Sequence, residues 1–228
     1  MELSIANAAK RCPVLSRSGE DSRRKLVPYG KMVIFKRGES LYAQEDPADR
    51  CFVLTSGWVK LSRILSNGEE ALINVLRQGS TLGFAEGLCN ENHRHFATAI
   101  SDCAALTMPS KILRDIMDED LSFTQALMHY SFDVTKSLHD QLESLKARSG
   151  VERVAGFLLT NMKVENGDIF VDLPYEKYIL AAYLGMKPES LSRVFSKLAT
   201  YGIIATGNRV EISNLEHLKT LAPHVYDA

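Results

Sequence analysis

Residues 187–197 set polar side chains at spacings suited to reading the edges of nucleic-acid bases. Glu189, Ser190, Ser192, Arg193 and Lys197 offer a carboxylate, two hydroxyls, a guanidinium and an ammonium in one short stretch. A carboxylate accepts from cytosine N4, a guanidinium donates two parallel bonds to guanine O6 and N7, and a lysine neutralises phosphate. The apolar residues around them say where these groups point. Leu180, Ala181 and Leu184 share one helical face, and Leu191, Val194 and Leu198 share another. Gly185 permits a positive-φ turn between them, and Pro188 suits the first position of the second helix. The spacing predicts a helix-turn-helix whose second helix, with Lys187 at its start, enters the major groove of double-stranded DNA.

Other elements must hold such a helix in place. Ile203, Ile204, Val210 and Ile212 flank the Gly207-Asn208 step as the strands of a hairpin would, which supplies a wing carrying Arg209. Residues 168–173 read as a short strand before the two helices. Residues 121–146 contain neither proline nor glycine, so a long helix is expected there. On it Leu127, Tyr130, Val134, Leu138, Leu142 and Leu145 recur every three or four residues, a stripe suited to a seam between two copies of the chain. Ser149-Gly150 breaks this helix. Upstream, β-rich runs at 32–35, 51–54, 58–61 and 71–76 alternate with turn residues, a spacing that indicates a small antiparallel barrel or jelly roll. The Asn67-Gly68 step predicts a type I′ hairpin turn between the last two runs.

The pattern Leu180-Ala181-x-Tyr183-Leu184-Gly185-x-x-x-Glu189-Ser190-Leu191-Ser192-Arg193 resembles the DNA-binding signature of the CRP/FNR family, and most of all its nitric-oxide-responsive Dnr/Nnr branch. Glycines at 38, 57, 68, 79 and 83 punctuate the first half of the chain as they do in that family. The resemblance implies an α+β fold. An effector-sensing β-roll with an N-terminal helical segment would span 1–120, a dimerisation helix 121–148 and a winged helix-turn-helix 149–228. It implies a homodimer, with double-stranded DNA, RNA polymerase and a small-molecule or gaseous effector as partners. It also implies that Glu189 and Arg193 read the half-site, and that Ser192 goes with a thymine-rich TTGA type of sequence. Pro188 stands where cyclic-AMP-type members carry an Arg that reads an outer guanine, and Lys187 stands where a Ser or Thr would cap the helix.

The resemblance places the effector pocket at Gly83, Glu86, His95 and Phe96. Cyclic-nucleotide-binding members hold the phosphate with an Arg-Ser pair; here His95 and Phe96 stand in its place, with Arg94 one position off, so a buried phosphodiester would meet an aromatic ring. A cyclic-nucleotide-responsive regulator therefore stays a secondary reading. The nitric-oxide branch implies haem, for which an axial histidine is required; His129, His93, His95 and His139 are the candidates by type. Another class of reading is a cupin-like enzyme binding a metal through His93 and His95. The carboxylate that should follow them is replaced by Phe96-Ala97-Thr98-Ala99-Ile100, which argues against it.

Cys12, Cys51, Cys89 and Cys103 are scattered, and only Cys12 precedes residue 50, so neither a disulfide frame nor an iron-sulfur cluster is expected. Hydrophobic residues make up 45% and charged residues 24% of the 228, an ordinary balance for a chain with a buried core. No apolar run reaches membrane-helix length, and the first eleven residues lack a signal-peptide profile, so a cytoplasmic protein with no membrane partner is expected. Net charge is −1, and beyond Ser149 eight Lys/Arg face nine Asp/Glu, so a DNA-binding surface must be a local one.

Overall fold

The computed structural model describes residues 5–173 and 176–223. In chain order the elements are α1 (Ile5–Arg11), α2 (Pro13–Arg17), α3 (Glu20–Leu26), β1 (Lys31–Phe35), β2 (Ser40–Tyr42), β3 (Arg50–Ser56), β4 (Trp58–Ile64), β5 (Glu70–Arg77), β6 (Thr81–Leu82), α4 (Phe84–Cys89), β7 (Phe96–Ala99), β8 (Cys103–Pro109), α5 (Ser110–Glu119) and α6 (Leu121–Ala147). There follow α7 (Gly150–Asn161), β9 (Lys163–Glu165), β10 (Asp168–Asp172), α8 (Lys177–Tyr183), α9 (Pro188–Ala199), β11 (Ile203–Thr206), β12 (Arg209–Ile212) and α10 (Leu215–Leu221). The chain divides into two compact units, Met1–Lys136 and Ser137–Ala228, so the long helix α6 contributes to both. Among the described residues no helix is long and apolar enough to cross a membrane.

The first unit is built on two four-stranded antiparallel sheets, ordered β1-β8-β3-β6 and β2-β7-β4-β5. Alternate residues of their strands, including Phe52, Leu54, Val59, Ala97, Ala99 and Ala105, form a buried cluster with Phe35, Leu41 and Tyr42 packed against it. Rings from both sheets fill this interior, with Tyr42 and Phe35 lying 6.0 and 6.4 Å from Phe52. The β4–β5 connection differs from the type I′ expectation. Asn67 does not have a positive φ; Gly68 alone does, at +83°, while its N–H reaches Leu65 O and Leu65 N–H reaches Glu69 O. A turn of this length closes with one left-handed glycine, whereas the two-residue turn needs two such positions.

The N-terminal helices complete a second cluster. Ala8, Cys12, Val14, Leu15 and Leu26 are buried with Leu113 and Ile116 of α5 and with Phe123, Ala126 and Leu127 of α6. Polar contacts secure the same region. Asp120 accepts from the Ser22 hydroxyl, from Ser122 Oγ at 2.7 Å and from Ser122 N–H at 2.9 Å, and Arg17 pairs with Asp133 at 2.6 Å. This corrects the upper half of the expected inter-subunit stripe. Leu127 is buried in its own unit and Tyr130 is half-buried with its hydroxyl bonded to Thr81, whereas Val134, Leu138, Leu142 and Leu145 remain exposed.

In the second unit α6 ends where the sequence breaks it, and Ser149 then caps α7 reciprocally with Glu152. The sheet β11-β12-β10-β9 is antiparallel throughout, and the β11–β12 hairpin turns at Gly207, φ +58°, as the wing prediction requires. Helix α9 packs against α7, α8 and β11. Ile179, Leu180, Ala181 and Leu184 of the first recognition-motif helix are buried, as are Leu191, Phe195 and Leu198 of the second. Val194 is only half-buried; Phe195, four residues after Leu191, takes the central place assigned to it from the sequence.

Two outcomes test these constraints. Gly185 has φ +63°, and a Cβ there would overlap Leu145. Gly185→Ala is therefore expected to lower stability by about 1–3 kcal/mol, seen as a reduced urea midpoint. Leu145→Ala in the same chain should not recover the backbone part of that loss. The Ser22 and Ser122 hydrogen bonds hold the Asp120 carboxyl well below its usual range, at about 2. A depressed carboxyl stabilises the fold above its unfolded value near 4 and loses that contribution as pH falls toward 2. Asp120→Asn should thus destabilise the protein at neutral pH and flatten the acid limb of stability against pH between about 4 and 2.

Candidate DNA-reading surface and effector pocket

Burial of Leu191, Phe195 and Leu198 fixes the rotation of α9 and so decides which side chains face solvent. Lys187, Glu189, Ser192, Arg193 and Lys197 are exposed, and Ser190 is half-buried beside them. Six of the seven sequence-predicted positions thus fall along one helix and its N-cap. Lys187 is that N-cap and makes no side-chain capping bond; Pro188 follows at the first helical position, where its missing N–H costs nothing. Ser192 Oγ donates to Pro188 O at 3.0 Å and Ser196 Oγ to Ser192 O at 3.0 Å, while Arg193 Nη2 donates to Ser190 Oγ at 3.1 Å. Arg209 sits apart from α9 on β12, exposed, its guanidinium 3.5 Å above the Phe170 ring.

The charges sort themselves in a way that the net value conceals. Lys163 pairs with Asp172 at 3.0 Å, Lys219 with Glu216 at 2.7 Å and Arg148 with Glu143 at 3.8 Å. Among the described residues Lys187, Arg193 and Lys197 form no ion pair. Acidic side chains neutralise cations elsewhere and leave the α9 cations available to phosphate.

Of the expected pocket residues, Gly83 and Glu86 belong to the short helix α4 and its N-cap. Gly83, buried with φ +69°, is its N-cap, and a Cβ there would stand 2.7 Å from His93 Cε1. Glu86 lies in the first turn of α4, and its charge acts on His93, His95, Tyr42 and Cys51. Phe96 opens β7, opposite Ser62. His93 is 2% exposed, its ring stacked on Tyr42 at 3.6 Å and 9°, with Nδ1 buried and unpartnered. Burial pushes its pKa down against the opposing carboxylates of Glu86, Asp46 and Asp49, so it is neutral near pH 7. His95 is half-buried and shifted down, first by burial and further by Arg63 and Arg94, with Glu86 opposing. The Tyr42 stack was missed from the sequence, because Tyr42 lies on a three-residue strand 51 positions away and no local periodicity points to it.

These placements bear on each expectation for the pocket. Arg94 is exposed and paired with Glu91 at 3.1 Å, so it is not aimed inward to hold a buried phosphate. His129 and His139 are exposed on α6, and His93 has a ring face covered by Tyr42 and an edge against Gly83. An axial ligand must direct a nitrogen into an apolar space as wide as a macrocycle, and His93, His129 and His139 as placed here do not fit haem. The cupin reading fails for a different reason. His93 and His95 precede β7 instead of lying on a strand, and no group of three His, Cys, Asp or Glu among the described residues is placed to hold a metal.

Residues 32–120 match the family model described as a cyclic nucleotide-binding domain, and residues 152–221 match the Crp-like helix-turn-helix domain. A solved structure from Ruegeria pomeroyi DSS-3, described as a cyclic nucleotide binding protein, is 34% identical, with 96% of this chain and 97% of that one covered and a TM-score of 0.76. The nitrogen fixation regulation protein FixK of Rhizobium meliloti (strain 1021) is 28% identical over 82% of this chain and 85% of its own length. The structure of DNR from Pseudomonas aeruginosa shares the fold at 22% identity and a TM-score of 0.54, covering 94% of this chain and 96% of that one. The chain belongs to the CRP/FNR family and is a DNA-binding regulator of transcription, not an enzyme.

Proposed function

We propose that the protein binds a palindromic site with TTGA-type half-sites as a homodimer, in the cytoplasm, and acts on RNA polymerase there. The observation that carries this reading is the exposed face of α9, where Glu189, Ser192, Arg193 and Lys197 stand clear of the buried stripe and the cations form no ion pair among the described residues. Glu189 accepts from cytosine N4, Arg193 donates to guanine O6 and N7, and Lys187, Lys197 and the wing's Arg209 contact phosphates. The dimer reading is supported by the exposed row Val134, Leu138, Leu142 and Leu145 on α6, whose 3–4 residue spacing suits a two-helix seam. The effector, a small molecule or a gas, is placed at Gly83, Glu86, His95 and Phe96, where the Glu86 carboxylate and two neutral imidazoles would hydrogen-bond an uncharged or cationic group.

The DNA assignment predicts unlike effects for unlike contacts. Arg193→Ala should cost about 1–3 kcal/mol and relax preference at one base pair, whereas Lys197→Ala should weaken all sequences alike and lower the salt slope by about one. Selection from a random duplex pool should return TTGA-type half-sites; recovery of TGTGA-type ones would contradict the assigned code. Because Arg94, the arginine nearest the expected Arg-Ser position, is exposed and paired with Glu91, cyclic AMP should leave DNA affinity unchanged. A tenfold gain in affinity with cyclic AMP would contradict the pocket assignment.

A further inference from the structure

We propose that Ser190 is a positioning residue: its hydroxyl oxygen holds the guanidinium of Arg193 in the base-reading pose. This rests on α9 being the reading helix, and it changes what Ser190 does there, from contacting DNA to orienting the side chain that does. The contact is Arg193 Nη2 donating to Ser190 Oγ at 3.1 Å, one helical turn apart.

Three features of α9 single out this hydroxyl. Ser192, Ser196 and Thr200 turn their hydroxyls back onto the carbonyls of Pro188, Ser192 and Lys197. Among the described residues Ser190 shows no such back-bond, and its oxygen instead accepts a hydrogen bond from Arg193 Nη2. A guanidinium carries five N–H donors, so one given to Ser190 leaves a complete two-donor edge for guanine O6 and N7.

The contact also separates two groups that would otherwise neutralise each other. Glu189 lies four residues before Arg193, the spacing and order at which helical ion pairs are favoured. Among the described residues they form no ion pair; Arg193 goes to the neutral Ser190, and Glu189 remains exposed. The carboxylate stays free to accept from a base and the guanidinium stays free to donate to one. An exposed Arg also loses much rotamer freedom when it docks, and a tether formed beforehand reduces that loss.

The test measures dissociation constants of the full chain and of Ser190→Ala, Ser190→Thr, Arg193→Ala and the Ser190→Ala/Arg193→Ala double variant on the selected palindrome. Each is repeated on a duplex with 7-deazaguanine replacing the guanine whose identity Arg193→Ala ceases to distinguish. Ser190→Ala is expected to weaken binding about three- to tenfold on the guanine duplex. Ser190→Thr, which keeps the oxygen, should restore it. The effect of Ser190→Ala should vanish in the Arg193→Ala background and shrink on 7-deazaguanine, which a loss of helix stability would not do. An equal loss with and without Arg193 would overturn the proposal by showing that Ser190 touches DNA itself, and so would no loss at all in Ser190→Ala. If Arg193→Ala alone binds every duplex as the parent does, the reading-helix assignment fails, and that result is distinct from either of the others.

Discussion

The structure depends on the burial of Leu191, Phe195 and Leu198 beneath α9. A helix can turn about its own axis at little cost unless something penalises the wrong orientation, and exposing three large apolar side chains would cost about 1.5–3 kcal/mol each. That penalty fixes the azimuth of α9 and therefore the line along which Glu189, Ser192, Arg193 and Lys197 emerge. The turn before it is equally constrained, because Gly185 adopts a left-handed conformation with Leu145 packed where a side chain would stand. Arg153 adds a polar tie, its Nη1 bonded to the carbonyl of Arg148 at 2.7 Å and its Nη2 3.5 Å from that of Gly185. The reading surface is thus set by its unexposed side.

Charge follows the same logic of placement over quantity. A chain of net charge −1 has no bulk attraction for a polyanion, yet DNA responds to charges within about a Debye length, near 8–10 Å. Carboxylates pair with Lys163, Lys219 and Arg148, while Lys187, Arg193 and Lys197 form no ion pair among the described residues. Composition alone understates such a site, because it counts charges without their partners.

Much of this was legible in the sequence where periodicity and turn chemistry agree. The Gly185 turn, the Pro188 start, the Gly207 wing and the break at Ser149-Gly150 each appear where local rules place them. The reciprocal cap between Ser149 and Glu152 was also readable, as a serine followed three residues later by glutamate before an apolar run. What escaped were contacts between residues far apart in sequence. Leu127 and Tyr130 have the right spacing for a seam, but the N-terminal helices and β6 bring partners that cover them within their own unit. Tyr42 meets His93 because the loop after β2 exchanges backbone hydrogen bonds with it, Glu45 N–H to His93 O and His93 N–H to Asp46 O, a contact that neither segment announces. Phe195 displaced Val194 from the centre of the α9 stripe because both fit a three-to-four spacing, and only the packed neighbours choose between them.

The two units share α6, which carries an exposed apolar row of Val134, Leu138, Leu142 and Leu145. If two copies join there, their recognition helices must meet DNA at a fixed separation. The most direct measurement is the affinity of the unaltered protein for duplexes in which the spacing between two half-sites is stepped through one helical turn. The account predicts a sharp optimum at about one turn, roughly 10 base pairs centre to centre, with a steep loss when the half-sites are moved by half a turn to opposite faces. An affinity independent of spacing would contradict it.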